Sequence, residues 1–427
     1  MTKSNFGPRG WLLVIYCFMA MFSTTICGNS ITNLALPMLC DRYGWNYANM
    51  ISLGTIFGWC CCIFFFIFGA ALKKMSPKKF SILAGAIYVI CIFIFPNIKQ
   101  AWQYGCIIFC TSILGNCWYN QFNNVLQSNW FPRKKGLVVG WSTMALPIGA
   151  GVGVKMFYML FPKLGLKGVY TLYACVGVVT LLICVFGLAD YPEQVGCYPD
   201  NDKTLDRAKL AEELEAGKKK TEQSIWTPAR MLKTKEVWLL GLGLGLQMMV
   251  TGAFMGVMVP RMMALGYDQG TAVNFMLFAA IMGAFGSYIV GIIDQKTNPK
   301  VAIMVVFAFA IGACTLNMVP VRAVVIISLI MLGVVLGGAA NCLMSITSTM
   351  WGRYGFPRAM TVMLVINQII GSCGSALVAQ LQAKFNWNVA YIVVACFMVV
   401  GILLILPVKL DSIKKYEEAA GCDMSIR

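Results

Sequence analysis

Five amide side chains fall close together at Asn116, Asn120, Asn123, Asn124 and Gln127. Their spacing of i, i+4, i+7, i+8 and i+11 puts all five on one face of a helix. An amide both donates and accepts hydrogen bonds, so a stripe of them in an apolar stretch either replaces the water shell of a polar solute or ties helices together. Three further groups have the same character: Asn29 and Asn33 beside Thr25 and Thr32, Gln247 beside Thr251, and Asn341 beside Ser345. One ammonium, Lys155, stands alone inside an apolar run, with Trp141 two heptads before it. Facing a cavity, Lys155 attracts an anion and Trp141 offers it a flat surface; facing lipid, the lysine snorkels to the headgroups. Both readings are open from the sequence.

The missing residue types are as informative. The chain has no histidine. Asp41, Asp190, Glu236, Asp268 and Asp294 all fall at the ends of apolar runs or between them. No carboxylate pair, histidine base or metal-ligand cluster exists for hydrolysis, so neither an enzyme, a cofactor nor a bound metal is expected. Proton relay by an embedded carboxylate or histidine is likewise not expected. The 18 cysteines mostly lie within apolar runs without zinc-site spacing, and read as small packing residues.

The elements that must hold these groups follow from composition. Hydrophobic residues make up 59% of the 427 and charged residues only 12%, about half the charged share of a soluble domain. The apolar residues form runs long enough to cross a hydrocarbon core as helices. Twelve such spans are predicted, at 11–38, 50–72, 80–95, 104–127, 137–161, 169–188, 237–259, 272–293, 301–318, 323–349, 361–380 and 387–406. The first is read as a retained helix and not a cleaved leader. Most of the 34 Lys and Arg fall in alternate loops and both termini, which places the termini in the cytoplasm of a plasma-membrane protein. The net charge of +17 is therefore a topology signal, and no nucleic-acid partner is expected. The expected partners are a lipid bilayer and a small-molecule substrate, and the chain is expected to act as a monomer.

An internal repeat divides these spans. Gly69, Lys74, Pro77 and Lys78 match Gly291, Lys296, Pro299 and Lys300 at an offset of 222, and Phe131-Pro132-Arg133 matches Phe356-Pro357-Arg358 at 225. The 225 offset also carries Asn116 onto Asn341 and Asn120 onto Ser345. The polar stripes thus occupy corresponding spans of two six-helix halves, whereas the third span of each triplet is nearly free of them. The expected organisation is a first bundle at 1–188, a polar linker at 189–236 with a surface helix over 202–220, a second bundle at 237–408 and a tail at 409–427. Parallel six-helix repeats are an architecture of secondary transporters, with the substrate held near mid-membrane.

The loop from Gly69 to Lys79 resembles the signature between the second and third helices of the major facilitator superfamily, with Lys73 where that family usually has Asp; the second copy places Asp294 three residues after Gly291. The segment Trp130 to Leu137, followed by Gly140, Gly149, Gly151 and Gly153, is similar to the oxalate/formate antiporter and monocarboxylate branch. The resemblance implies an all-α fold of two pseudo-symmetric bundles, alternating access, and conformational loops built on Gly69, Lys74, Pro77, Lys78, Arg133, Gly291, Asp294 and Arg358. Neither 272–293 nor 361–380 carries a basic residue, so Lys155 as a lone cation implies a monoanion. The resulting expectation is a carrier of a small organic anion, a monocarboxylate, working as exchanger or uniporter. A carrier of neutral or zwitterionic solutes and a non-transporting sensor are the alternatives.

Overall fold

A computed structural model describes residues 6–71, 76–131, 135–202 and 225–420. Lys74, Arg133 and the predicted surface helix in the linker lie outside the described residues. The described chain is helical, and ten helices among the described residues are long and apolar enough to cross a membrane. The remaining two predicted crossings differ from these in identifiable ways. The amide-rich fourth segment is less apolar than the rest because of its amides. The fifth and sixth follow each other without an intervening loop, in one stretch Val138–Gly187 that turns at Gly165.

We number the crossings in chain order. α1 is Gly7–Tyr43, α2 Tyr47–Ala71 and α3 Pro77–Ile94. α4 runs through Ala101–Asn116, a π-helical turn at Cys117–Phe122, and Asn123–Trp130. α5 and α6 share the stretch up to residue 187, broken at Gly165, whose φ of 63° and ψ of −179° are not helical. Glycine alone tolerates that conformation cheaply. The break is a reversal: Tyr173 Oη donates to the carbonyl of Gly153 at 2.6 Å, a pair that a straight helix would hold about 30 Å apart. α7 is Lys235–Met255, α8 Gln269–Lys296 and α9 Pro299–Leu316. α10 and α11 are Arg322–Gly352 and Arg358–Lys384, separated where Gly352 takes φ 64°. α12 is Trp387–Ile405, and the tail adds α13, Ser412–Ala419.

The helix starts show why the repeated loop signature has its residues. Ser76 accepts from Lys79 N–H at 3.1 Å with Pro77 in the first turn of α3. Asn298 accepts from Val301 N–H at 3.0 Å with Pro299 in the first turn of α9. Each cap satisfies a donor that the first turn leaves orphaned, worth about 1 kcal/mol. The next residue of each copy closes another helix end. Lys78 Nζ donates to the carbonyls of Val185 and Leu188 at 2.9 and 2.7 Å, at the end of α6. Lys300 Nζ donates to those of Leu406 and Val408 at 2.6 and 2.9 Å, at the end of α12. A cation at a helix C-terminus meets both the free carbonyls and the negative end of the dipole.

The chain forms two compact units, Met1–Thr204 with Met255–Phe278, and Leu205–Phe254 with Ala279–Arg427. Residues 255–278 group with the first unit. The cause is local bonding, since Asn33 Nδ2 donates to Met255 O at 2.8 Å and Asn33 Oδ1 accepts from Val259 N–H at 3.1 Å.

Within each unit the corresponding helix pair makes a close backbone approach. In the first, a Cβ on Gly153 of α5 would lie 2.6 Å from Ile26 Cα of α1, and one on Gly149 3.0 Å from Thr25. In the second, a Cβ on Gly374 of α11 would lie 2.0 Å from Met249 O of α7, and one on Gly371 2.9 Å from Met248. Small residues at such crossings let van der Waals packing replace the hydrophobic effect, which is absent between helices in lipid. In the second unit the linker and tail also meet: Trp226 Nε1 donates to Glu417 at 2.7 Å and its ring packs edge-on to Trp351. The described part of the tail is therefore docked at Glu417.

Candidate functional site

A cavity of about 370 Å³ lies inside the first unit, among α1, α2, α3 and α4, with Leu146 of α5 at its margin. α1 contributes Thr24, Thr25, Gly28, Asn29 and Thr32; α4 contributes Thr111, Ser112, Asn116 and Tyr119. Tyr88 and Tyr104 bring two more phenols. Gly28 and Gly54 border it with nothing within 4 Å of where a Cβ would stand. No Asp, Glu, Lys or Arg is among the lining residues.

Both long walls carry a π-helical turn: Ile31–Ala35 in α1, which contains Thr32, and Cys117–Phe122 in α4, which begins between Asn116 and Tyr119. Such turns recur at functional sites. Each admits an extra residue, which rotates the face downstream by about 100° relative to an uninterrupted helix. The five amides of α4 consequently do not share one face, a correction to the sequence expectation. Asn116 lines the cavity, its Nδ2 donating to Ser112 O at 2.7 Å and its Oδ1 accepting from Tyr119 Oη at 2.8 Å. Beyond the turn, Asn123 is fully buried with Nδ2 directed at Cys17 O, 3.4 Å away. Gln127 Nε2 donates to Ser142 Oγ of α5 at 2.8 Å. Asn124 Nδ2 donates to Asn120 Oδ1 at 2.9 Å, so these two partner each other.

In α1, Asn29 lines the cavity and Asn33 does not; Asn33 is buried and bonded to backbone. Trp141 is 43% exposed and packs edge-on against Trp11, ring centres 5.9 Å apart. Lys155 is half-buried away from the cavity. Its Nζ donates to Asn274 Oδ1 of α8 at 2.6 Å and lies 5.8 Å from the Tyr158 ring centre. Beside that contact, Asp268 opens α8 by accepting from Thr271 Oγ1 and N–H at 2.6 and 2.9 Å, which holds its carboxyl below the ordinary 3.8.

In the second unit Asn341 and Ser345 are engaged with other polar side chains. Asn341 Nδ2 donates to Ser287 Oγ at 2.7 Å, and Ser345 Oγ donates to Asp294 Oδ2 at 2.5 Å. Ser345, expected in a lining, thus bonds Asp294, expected in a conformational loop. Gln247 is buried, and neither amide atom has a hydrogen-bond partner among the described residues. Gly291 has open space around it, and Arg358 is half-buried.

Several residues at or near the cavity are not among those the sequence singled out. Thr24, Thr111, Ser112, Tyr88 and Tyr104 are single polar groups in apolar helices, without periodicity to mark them; Tyr119 and Thr25 sit within the stripes. Arg261 is 3% exposed in the short helix Met258–Ala264. Glu236, expected at a helix end, does start α7 but is buried there, where the helix dipole favours a carboxylate.

Residues 13–372 match the family model of the Major Facilitator Superfamily. The fold is similar to a crystal structure of a bacterial homologue of the human lysosomal transporter Spinster, inward-facing and unoccupied, at TM-score 0.71 and 12% identity over 96% of this chain and 98% of that one. It is similar to the nucleoside transporter NupG, as a point mutant, at TM-score 0.68 and 11% identity over 92% and 99%. The occupied form of the Spinster homologue aligns at TM-score 0.62 and 14% identity over 98% and 97%. No curated protein matches the chain in sequence.

Proposed function

This chain belongs to the major facilitator superfamily, a multi-pass membrane transporter and not an enzyme, and from that premise we propose that it carries a small polar organic solute without net negative charge by alternating access. The observation that supports this reading is the cavity lining: hydroxyl, amide and phenol groups without a charged side chain. Such groups replace hydration without demanding a counter-charge, and about 370 Å³ is in the range of small-ligand pockets. Asn29 and Asn116, with Thr32 and Thr111, are the residues assigned to the solute. The transporter acts as an exchanger or uniporter, in the plasma membrane with both termini cytoplasmic, a topology that the Lys and Arg bias supports.

One observation favours the second reading, a monocarboxylate carrier. Lys155 is a half-buried ammonium whose side-chain hydrogen bond is to a neutral amide, leaving its charge available to an anion. The two readings separate in proteoliposomes. Uptake of a metabolite panel sorted by charge should show preference for neutral or zwitterionic solutes; selective uptake of monocarboxylates, lost in Lys155→Met, would establish the second reading instead.

A further inference from the structure

The hydrogen atoms of the cavity's polar groups are mostly committed to the protein itself. Thr24 Oγ1 donates to Met21 O at 2.9 Å, Thr25 Oγ1 to Met21 O at 2.7 Å, and Thr111 Oγ1 to Ile107 O at 2.9 Å. Thr32 Oγ1 points at Gly28 O and Asn29 O, both at 3.3 Å, and accepts from Asn33 Nδ2 at 3.3 Å, which leaves it one lone pair. Tyr119 Oη donates to Asn116 Oδ1 and Tyr88 Oη to Thr24 O, at 2.8 and 3.5 Å. Asn29 and Asn116 each direct one N–H to the carbonyl four residues back. A hydroxyl that only donates keeps both lone pairs, Asn29 keeps its amide oxygen, and Asn116 Oδ1 keeps the lone pair that Tyr119 does not use. What the lining offers a ligand is therefore chiefly acceptor oxygen. Ser112 and Tyr104 keep a hydroxyl hydrogen, and each amide a second N–H, so donors are present but in the minority.

We infer that the group recognised in this cavity is an N–H-rich cationic head, a protonated amine, whether of an organic cation or the ammonium end of a zwitterion. An ammonium has three donors and no acceptor, which is the complement of this lining. Neutral oxygen dipoles replacing a cation's hydration shell are sufficient for selectivity in other membrane sites, and phenol faces add attraction for a cation. A carboxylate meets the reverse: its lone pairs would face the lone pairs of the threonines. The inference rests on the assignment of this cavity as the solute site.

Three probes with a common skeleton separate the possibilities: 2-phenylethylammonium, 2-phenylethanol and 3-phenylpropionate, titrated calorimetrically into the purified full-length protein in detergent. The expected order is ammonium above alcohol above carboxylate, with at least a tenfold gap between the first two. Thr32→Val and Thr111→Val, which delete an acceptor at nearly constant shape, should each weaken the ammonium probe three- to tenfold, and Thr32→Ser and Thr111→Ser should restore it. If alcohol and ammonium bind alike and both valine variants weaken them equally, the cavity remains the solute site and the ammonium inference is overturned. If ammonium binds tightest but no cavity variant changes any probe, or if the carboxylate binds tightest, the cavity assignment falls together with the inference.

Discussion

The repeat places Asn116 of α4 and Asn341 of α10 at corresponding positions, yet the two units use them differently. Asn116 faces a cavity; Asn341 is bonded to Ser287 of α8. The difference lies in what separates the paired helices. In the second unit a Cβ on Gly286 would stand 2.2 Å from Gly333 O, and one on Gly337 2.0 Å from Ser287 N, so α8 and α10 touch through backbone. In the first unit, Ser112 stands at the position that corresponds to Gly337, and the rings of Phe57 and Phe64 meet Phe109 between α2 and α4 at 5.3 and 6.2 Å. Bulky side chains hold the first pair apart and glycines close the second. Similar polar residues thus become a solvating surface in one unit and interhelical bonds in the other.

Substitution of the glycines is the strongest way to break this comparison. Gly286→Val or Gly337→Val forces apart two backbones that no rotamer change can relieve, and should destabilise the second unit by at least the upper end of the about 1–3 kcal/mol typical of overpacking. Detergent thermal-unfolding traces with size-exclusion profiles would register it. Native-like melting of both variants would mean that α8 and α10 are not in backbone contact.

Next in size are the lysines that close α6 and α12. Lys78→Met and Lys300→Met each remove charge-assisted bonds to two carbonyls, and should lower stability by about 1–2 kcal/mol. Similar losses in the two variants would confirm that the repeated loop signature is a repeated helix closure. A large loss in one and none in the other would show that the units have diverged there as well.

These two sets of contacts show what was legible beforehand. The apolar crossings, the internal repeat and its matched loop residues Pro77 and Pro299 follow from apolar run length and fixed offsets, both local properties of the chain. The cavity is different. Asn29 and Asn116 stand out as amides in apolar helices, but Asn120, Asn123 and Asn124 share their face only in an uninterrupted helix. The π turn at Cys117–Phe122 has no signature in the residues themselves, and it alone redirects the amides beyond it. The engagement of Asn341 and Ser345 depends on how closely α8 and α10 approach, which Gly286, Gly333 and Gly337 allow but do not announce. The partner of Lys155, Asn274, stands 119 positions away in the chain and nothing local to the lysine marks it.

Lys155→Ala sharpens the comparison at a smaller scale. With the cavity as the solute site, apparent affinity for a neutral or ammonium-bearing solute should change less than twofold, because the lysine is outside the lining. A tenfold loss confined to an anionic substrate would move the site to the lysine. Smallest of all is Asp268→Asn. The lowered carboxyl pKa of Asp268 in the folded state means that its cap stabilises α8 above the ordinary value of 3.8, and that this stabilisation disappears as pH falls through the folded-state value. Wild type and variant should therefore differ slightly in melting temperature near neutrality and converge under acid. A difference that persists unchanged at the lowest pH would remove the charged cap as its cause.

The central claim, that the solute is bound in the first unit's cavity, is tested most directly by filling it. Gly54 borders the cavity with nothing within 4 Å of its would-be Cβ, so Gly54→Leu adds bulk to the empty space without striking the backbone. Uptake of the transported solute should be measured in proteoliposomes alongside the melting temperature of the same preparation. The account predicts melting within a few degrees of wild type and at least tenfold slower uptake. Wild-type uptake by a stably folded Gly54→Leu variant would contradict it.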